Sequence, residues 1–264
     1  MQSLTIYHMY PDAMNLYGDL GNVVTLRRRM LERGISVDIV NVGRGVKADF
    51  SKADIVFLGG GQDRGQKIIA EDLAKRGPEI KHEVERGLVC LTICGGFQLF
   101  GKYFKTKEGE MLPGISVFDA YTVGSDKRCI GNVVLDITDE AKKWKSSLNT
   151  LVGFENHSGL TYLEGKTRPL GKVKIGYGNT GLSRRLDKAG DHKYEGAVYN
   201  NCYGTYLHGP VLPKNPHFAD HLIQMAINRK YGSWARMKQI DDTIELDAHK
   251  AAIARAKTAK TAHI

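Results

Sequence analysis

Two short apolar runs end abruptly in glycines and lead straight into helix-patterned sequence: ADIVFLGGG (Ala53–Gly61) and LVCLTICGGFQLFGKYF (Leu88–Phe104). Unbroken runs of aliphatic and β-branched residues this short read as buried strands. Glycines at their ends let the chain turn sharply and bring backbone close to a ligand. The same rhythm holds upstream. SLTIYHMY reads as a strand, and NVVTLRRRMLERG as a helix with an apolar stripe of Val24, Leu26, Met30 and Leu31, capped at Gly34. ISVDIVNV is a strand again, the stretch from Gln62 to Gly87 is helical with a possible break at Gly77-Pro78, and GGFQLFGKYF reads as a helix. Strands alternating with helices predict an α/β fold with a mostly parallel central sheet flanked by helices. In such folds ligands bind beyond the carboxyl ends of the strands, where Gly59–Gly61 and Cys94 stand.

The middle of the chain changes character. LPGISVFDAYTV, CIGNVVLDI, TLVGFENHSGLTYL and KVKIGYG are strand candidates joined by Gly- and Asn-rich turns, which adds antiparallel strands to the parallel layer. GAVYNNCYGTYLHGPVL reads as a strand entering a loop, and NPHFADHLIQMAINRKYG as a helix. The tail from Leu246 is rich in alanine and lysine with a weak apolar stripe; a marginal helix, a partner-docking segment and a frayed end all fit it. The net charge of +9 admits nucleic acid, anionic lipid or an acidic protein as partner, but no nucleic-acid-binding module accompanies it. No apolar run reaches the eighteen residues of a membrane span, and the first residues lack a secretory pattern. The four cysteines form no CxxC pair or zinc-like grouping, which favours a reduced, cytoplasmic setting and no metal.

Cys94 occupies a strand-to-helix turn, a place suited equally to a buried cysteine and to a nucleophile whose thiolate a helix N-terminus favours. A nucleophile needs an oxyanion site and a base. The Gly59–Gly61 loop can aim one N–H at a developing oxyanion, and Gly95 a second. Of nine histidines, His208 in YGTYLHGP and His157 in FENHSG stand on turns fit to carry a base. His208, closing a strand, is the favoured candidate and His157 the alternative.

These pieces in this order resemble the class I glutamine amidotransferases, whose layered fold is flavodoxin-like. The residues that carry the resemblance are CGGFQ at Cys94–Gln98, GGGQD at Gly59–Asp63, NLYGDLGN at Asn15–Asn22 and YGTYLHG at Tyr203–Gly209. The last places the chain in the cobyric acid synthase-like branch. FENHSG and KRCIG (Lys127–Gly131) narrow the likeness to glutaminase subunits that serve lipid II amidation in Gram-positive bacteria. The resemblance implies Cys94 as nucleophile, His208 as base, Gly60 and Gly95 as oxyanion donors, and Arg128, Gln98 and Gly61 as glutamine contacts. Many class I members carry a glutamate two residues after the histidine; here Gly209 and Pro210 follow, so a Cys-His dyad is implied.

The same resemblance implies hydrolysis of L-glutamine through a cysteine thioester, with ammonia passed to a MurT-like Mur ligase subunit that amidates the D-glutamate α-carboxylate of lipid II. No GxxxxGK[ST] loop is present, so ATP, Mg2+ and any structural Zn2+ would belong to that partner, leaving no cofactor in this subunit. The place of work would be the cytoplasm, at the inner membrane surface. An amidotransferase of the same branch with another acceptor, and a non-catalytic partner-binding protein, are the alternatives. The expected organisation is an amidotransferase domain over residues 1–235 followed by a helical or flexible extension over residues 236–264.

Overall fold

The computed structural model describes residues 2–15, 18–181, 193–232, 237–259 and 262–263. Leu16 and Tyr17 of the NLYGDLGN motif, and the expected boundary at residue 235, lie outside them. In chain order the first half comprises β1 (Ser3–Met9), α1 (Leu20–Leu31), β2 (Ser36–Val42), β3 (Ile55–Leu58), α2 (Asp63–Glu85), β4 (Val89–Ile93) and α3 (Gly95–Phe100). Then follow β5 (Tyr103–Lys105), β6 (Met111–Pro113), β7 (Ala120–Asp136), α4 (Thr138–Trp144), β8 (Thr150–Leu163) and β9 (Gly171–Ile175). The remainder is β10 (Tyr194–Glu195), β11 (Ala197–Tyr199), β12 (Cys202–Thr205), α5 (Pro216–Tyr231), α6 (Thr243–Thr258) and β13 (Ala262–His263).

One sheet has the order β11-β12-β4-β3-β1-β2 and is parallel except at the β11–β12 hairpin. Strands β3 and β4 are buried along their whole length, as their unbroken apolar sequence requires. The chain leaves β1 for β2 on one side, then returns to place β3 on the other. That reversal opens a crevice beyond the strand ends, the position of ligand sites in doubly wound sheets.

A second sheet is built on the long antiparallel pair β7–β8. Two of the expected short strands therefore merge into β7, whose pairing shifts between Gly124 and Cys129. Arg128 lies in that irregular stretch, and such bulges bend a strand and re-aim its side chains. The expected helix GGFQLFGKYF stops at Phe100, because Tyr103–Lys105 find partners in β6 and β7 instead.

Helix α2, in contrast, runs unbroken through Pro78. Ile69, Leu73, Ile80 and Val84 form one buried face on both sides of the proline. Burying four such side chains is worth about 1.5–3 kcal/mol each, which outweighs the roughly 3 kcal/mol that an interior proline costs.

The tail is docked as far as it is described. In α6, His249 contacts Thr150 Oγ1 at 2.9 Å and the Lys214 carbonyl at 2.8 Å, and Ala256 packs with Val134 and Val152. The approach to α6 is held by buried Arg29, which donates to Asp220 at 2.7 and 2.8 Å and to Asp242 at 2.6 and 3.1 Å. Removing one partner of a buried ion network strands the others, so Arg29→Ala should cost about 3 kcal/mol of stability. Denaturant melts of the full chain at neutral pH check this; a change within error would show the network to be dispensable.

Candidate active site

Together with the residue that precedes α1, the segments that follow β3, β4 and β12 meet at Cys94. Its own strand, β4, terminates at Ile93, and Cys94 then adopts φ 49° and ψ −106°, a conformation rare outside glycine. The strain is tolerated because both backbone polar groups of Cys94 are held. The Cys94 N–H donates to the Thr205 carbonyl at 2.8 Å, and the Gln98 N–H to the Cys94 carbonyl at 2.9 Å. Gly96 has to be glycine here, since a Cβ would stand 2.6 Å from the Leu58 carbonyl oxygen. The result is a sharp strand-to-helix turn holding a side chain that is 8% exposed.

His208 lies just beyond β12, whose Thr205 registers with Ile93. Its backbone is clamped to β8 by a pair of hydrogen bonds with Phe154, at 2.7 and 3.2 Å. The segment before it is set by Glu195, fully buried, which accepts from the Tyr206 N–H at 2.6 Å and from Thr205 Oγ1 at 3.1 Å. Burial pushes the Glu195 carboxyl up to about 8 against these donors.

The buried His208 ring interacts with Cys94 on one side and with Asp19 on the other, Nδ1 to Oδ1 being 3.4 Å. Asp19 is itself buried and immediately precedes α1. Burial works against an imidazolium at His208. The Cys94 thiolate and then the Asp19 carboxylate outweigh it, and together they raise the group to about 10. A line of acid, imidazole and thiol is thus present. The acid does not follow the histidine in sequence, but comes from the residue that precedes α1.

The glycine loop after β3 fits against this line. A Cβ on Gly60 would lie 2.8 Å from His208 Cε1 and 3.0 Å from Asp19 Oδ2. The Gly60 N–H donates to Asp19 Oδ2 at 2.7 Å. Gly60, expected as an oxyanion donor, is thus placed with its N–H on the carboxylate behind His208. Its neighbour Gly61 lines the cavity in front of Cys94.

That cavity has a volume of about 350 Å3 and collects several of the expected residues: Gly61, Cys94, Gln98, Arg128 and His157. Arg128 is exposed at its rim and donates through Nε to Asn156 Oδ1 at 2.5 Å. Gln98 is buried, with Nε2 donating to the Tyr206 hydroxyl at 3.1 Å. His157 is engaged elsewhere than Cys94. Its Nδ1 meets the Gly159 carbonyl at 2.8 Å, its ring stacks on Tyr206 with centroids 3.7 Å apart, and Nε2 is 3.6 Å from Glu155. Among the described residues no cluster of His, Cys, Asp and Glu could hold a metal ion, and no helix is long and apolar enough to cross a membrane.

Asp19 and Gln66 are the site residues that sequence reasoning left without a role. Asp19 stands inside the motif NLYGDLGN, whose pattern marks it without saying what it touches. Gln66 carries no motif signal.

Residues 5–216 match the family of CobB/CobQ-like glutamine amidotransferase domains. Over 260 residues the chain is 40% identical to the Staphylococcus aureus (strain N315) protein named lipid II isoglutaminyl synthase (glutamine-hydrolyzing) subunit GatD, covering 98% of this chain and 99% of that one. The Streptococcus pneumoniae (strain ATCC BAA-255 / R6) protein of the same name is 36% identical, over 91% of this chain and 87% of that one. A solved glutamine amidotransferase from Thermotoga maritima shares the fold, with a TM-score of 0.53 at 16% identity over 96% of this chain and 92% of that one. The turn at Cys94, the glycine loop and this extent of similarity agree: the chain belongs to the CobB/CobQ-like glutamine amidotransferase family.

Proposed function

We propose that the chain is the glutaminase subunit of a lipid II isoglutaminyl synthase. It hydrolyses L-glutamine and delivers ammonia to a MurT-like Mur ligase, which amidates the D-glutamate α-carboxylate of lipid II to D-isoglutamine. The observation that carries the chemistry is His208 held between Asp19 and Cys94, with Cys94 lining a cavity rimmed by Arg128. The assignment of acceptor and partner rests on the near full-length similarity to the two GatD subunits.

Arg128 takes the α-carboxylate of glutamine through its planar fork, and Gln98 and Gly61 hold the rest of the molecule. The Cys94 thiolate adds to the side-chain amide carbon. The oxyanion is met by the Gly95 N–H and by the Gly59–Gly61 loop. Within that loop Gly61, which faces the cavity, is better disposed than Gly60, whose N–H Asp19 occupies. Imidazolium His208 gives its proton to the amide nitrogen, the C–N bond breaks, and ammonia leaves behind a glutamyl thioester. His208, now neutral, takes a proton from water as that water attacks the thioester carbon. Collapse of the second tetrahedral adduct releases glutamate and restores the Cys94 thiolate beside imidazolium His208.

ATP and Mg2+, with any structural Zn2+, belong to the partner ligase. The lipid-linked acceptor places the complex at the cytoplasmic face of the membrane. A chloroketone analogue of glutamine tests the assignment of the nucleophile. It should alkylate Cys94 stoichiometrically, read by mass spectrometry of the digested protein, and excess L-glutamine should protect. Modification of Cys90, Cys129 or Cys202 with Cys94 untouched would overturn it.

A further inference from the structure

Gln66, on the first turn of α2, has no part in the steps above. It is 2% exposed, yet it lines the cavity beside Cys94. Its carboxamide has a defined orientation. Nε2 donates to Gln98 Oε1 at 3.0 Å and faces the Gly61 carbonyl at 3.4 Å. Both neighbours are acceptors here, so the reversed amide would set oxygen against oxygen. Gln98 also meets the Tyr206 hydroxyl at 3.1 Å, which is 2.6 Å from Thr161 Oγ1. With Nε2 turned to the Gly61 carbonyl, which can only accept, Gln66 Oε1 is left buried with no hydrogen-bond partner among the described residues. A buried acceptor in that state costs free energy until a donor arrives.

We propose that Gln66 Oε1 accepts a hydrogen bond from the α-ammonium group of L-glutamine, which makes Gln66 a specificity-determining residue for the zwitterionic amino acid; this rests on the glutaminase reading. Glutamine brings two nitrogen donors to the cavity. The side-chain amide belongs at Cys94, where its nitrogen becomes the leaving group. The α-ammonium shares a carbon with the carboxylate assigned to Arg128, and Arg128, Gln98 and Gln66 line the same cavity. None of the side chains described as lining that cavity is a carboxylate. The ammonium must therefore be met by neutral oxygens, and Gln66 Oε1 is a buried acceptor without a partner among the described residues.

The test compares L-glutamine with 4-carbamoylbutanoate, the same molecule without its ammonium. Both ligands are titrated calorimetrically into the full chain carrying Cys94→Ala, with Gln66 intact or replaced by Leu. With Gln66 intact, L-glutamine should bind the tighter of the two. Gln66→Leu should weaken L-glutamine by about 10- to 100-fold, the effect of losing a hydrogen bond to a charged group. The analogue should lose far less, so that the ratio of the two affinities collapses. Loss of the Gln66–Gln98 bond affects both ligands alike and cancels in that ratio. Equal weakening of both ligands, or an undiminished preference for L-glutamine, overturns the proposal. Gln66→Met serves the same comparison if the leucine variant fails to fold. Should Cys94→Ala with Gln66 intact bind neither ligand, the glutaminase reading itself fails and takes this inference with it. Steady-state kinetics with the ligase present should show the same pattern as a rise in KM for L-glutamine.

Discussion

Cys94→Ala should abolish glutamine hydrolysis, by about 10⁴-fold or more, since loss of a covalent nucleophile removes the whole two-step route. The fold should survive. The Cys94 side chain is small, and its turn is held by backbone bonds to Thr205 and Gln98 that alanine retains. What discriminates is the behaviour of the complex. With the variant bound to its ligase partner, amidation driven by L-glutamine should disappear while amidation driven by added ammonium salt continues. The paired measurement is isoglutamine formation in lipid II from each nitrogen source. A variant that still uses glutamine would remove Cys94 from the mechanism. A variant that loses both nitrogen sources would show that Cys94 supports the assembly rather than the chemistry.

The part of this site that is local in sequence was legible, and the part made by distant segments was not. Cys94, Gly95 and Gln98 follow one strand directly, so a single stretch announces the turn that holds them. The pairing of that turn with the Gly59–Gly61 loop was also readable, because parallel strands in such sheets end on the same side. Asp19 is different. It reaches His208 across 189 positions of sequence, and nothing near His208 signals it. The absence of an acid after His208 pointed to a dyad, and no local pattern showed that Asp19, in the segment entering α1, stands 3.4 Å from the ring. Gln66 was hidden for a related reason, since its significance lies in which amide atom is left over once Gln98 and Gly61 have been served. The strand at Tyr103–Lys105 was misread as helix because its partners come later in the chain, and local spacing cannot register them. Helix α2 ran through Gly77-Pro78 because the faces on both sides of the proline are buried, and burial is a tertiary fact.

Asp19→Asn tests whether that distant acid governs the imidazole. The change keeps the size of the side chain and an oxygen for the Gly60 N–H, but removes the charge. A rate loss of about 10²-fold or more is expected in kcat/KM, equivalent to roughly 2.7 kcal/mol of transition-state stabilisation. The pH dependence gives the sharper signature. Burial disfavours the His208 imidazolium, while the Cys94 thiolate and the Asp19 carboxylate favour it, and the balance lies at about 10. Without the Asp19 charge one favourable contribution is gone, so His208 loses its proton at lower pH. Imidazolium is the form that protonates departing ammonia; the alkaline limb of the kcat/KM profile should therefore move to lower pH, with the loss in rate greatest above neutrality. Asp19→Glu retains the charge and should keep more of the alkaline activity than Asp19→Asn, even if its added length disturbs the Gly60 contact. If Asp19→Asn lowered the rate by the same factor at every pH, Asp19 would be a spacer for the Gly60 loop. If the rate and the profile were both unchanged, Cys94 and His208 would operate as a dyad, and the 3.4 Å contact would be incidental to catalysis.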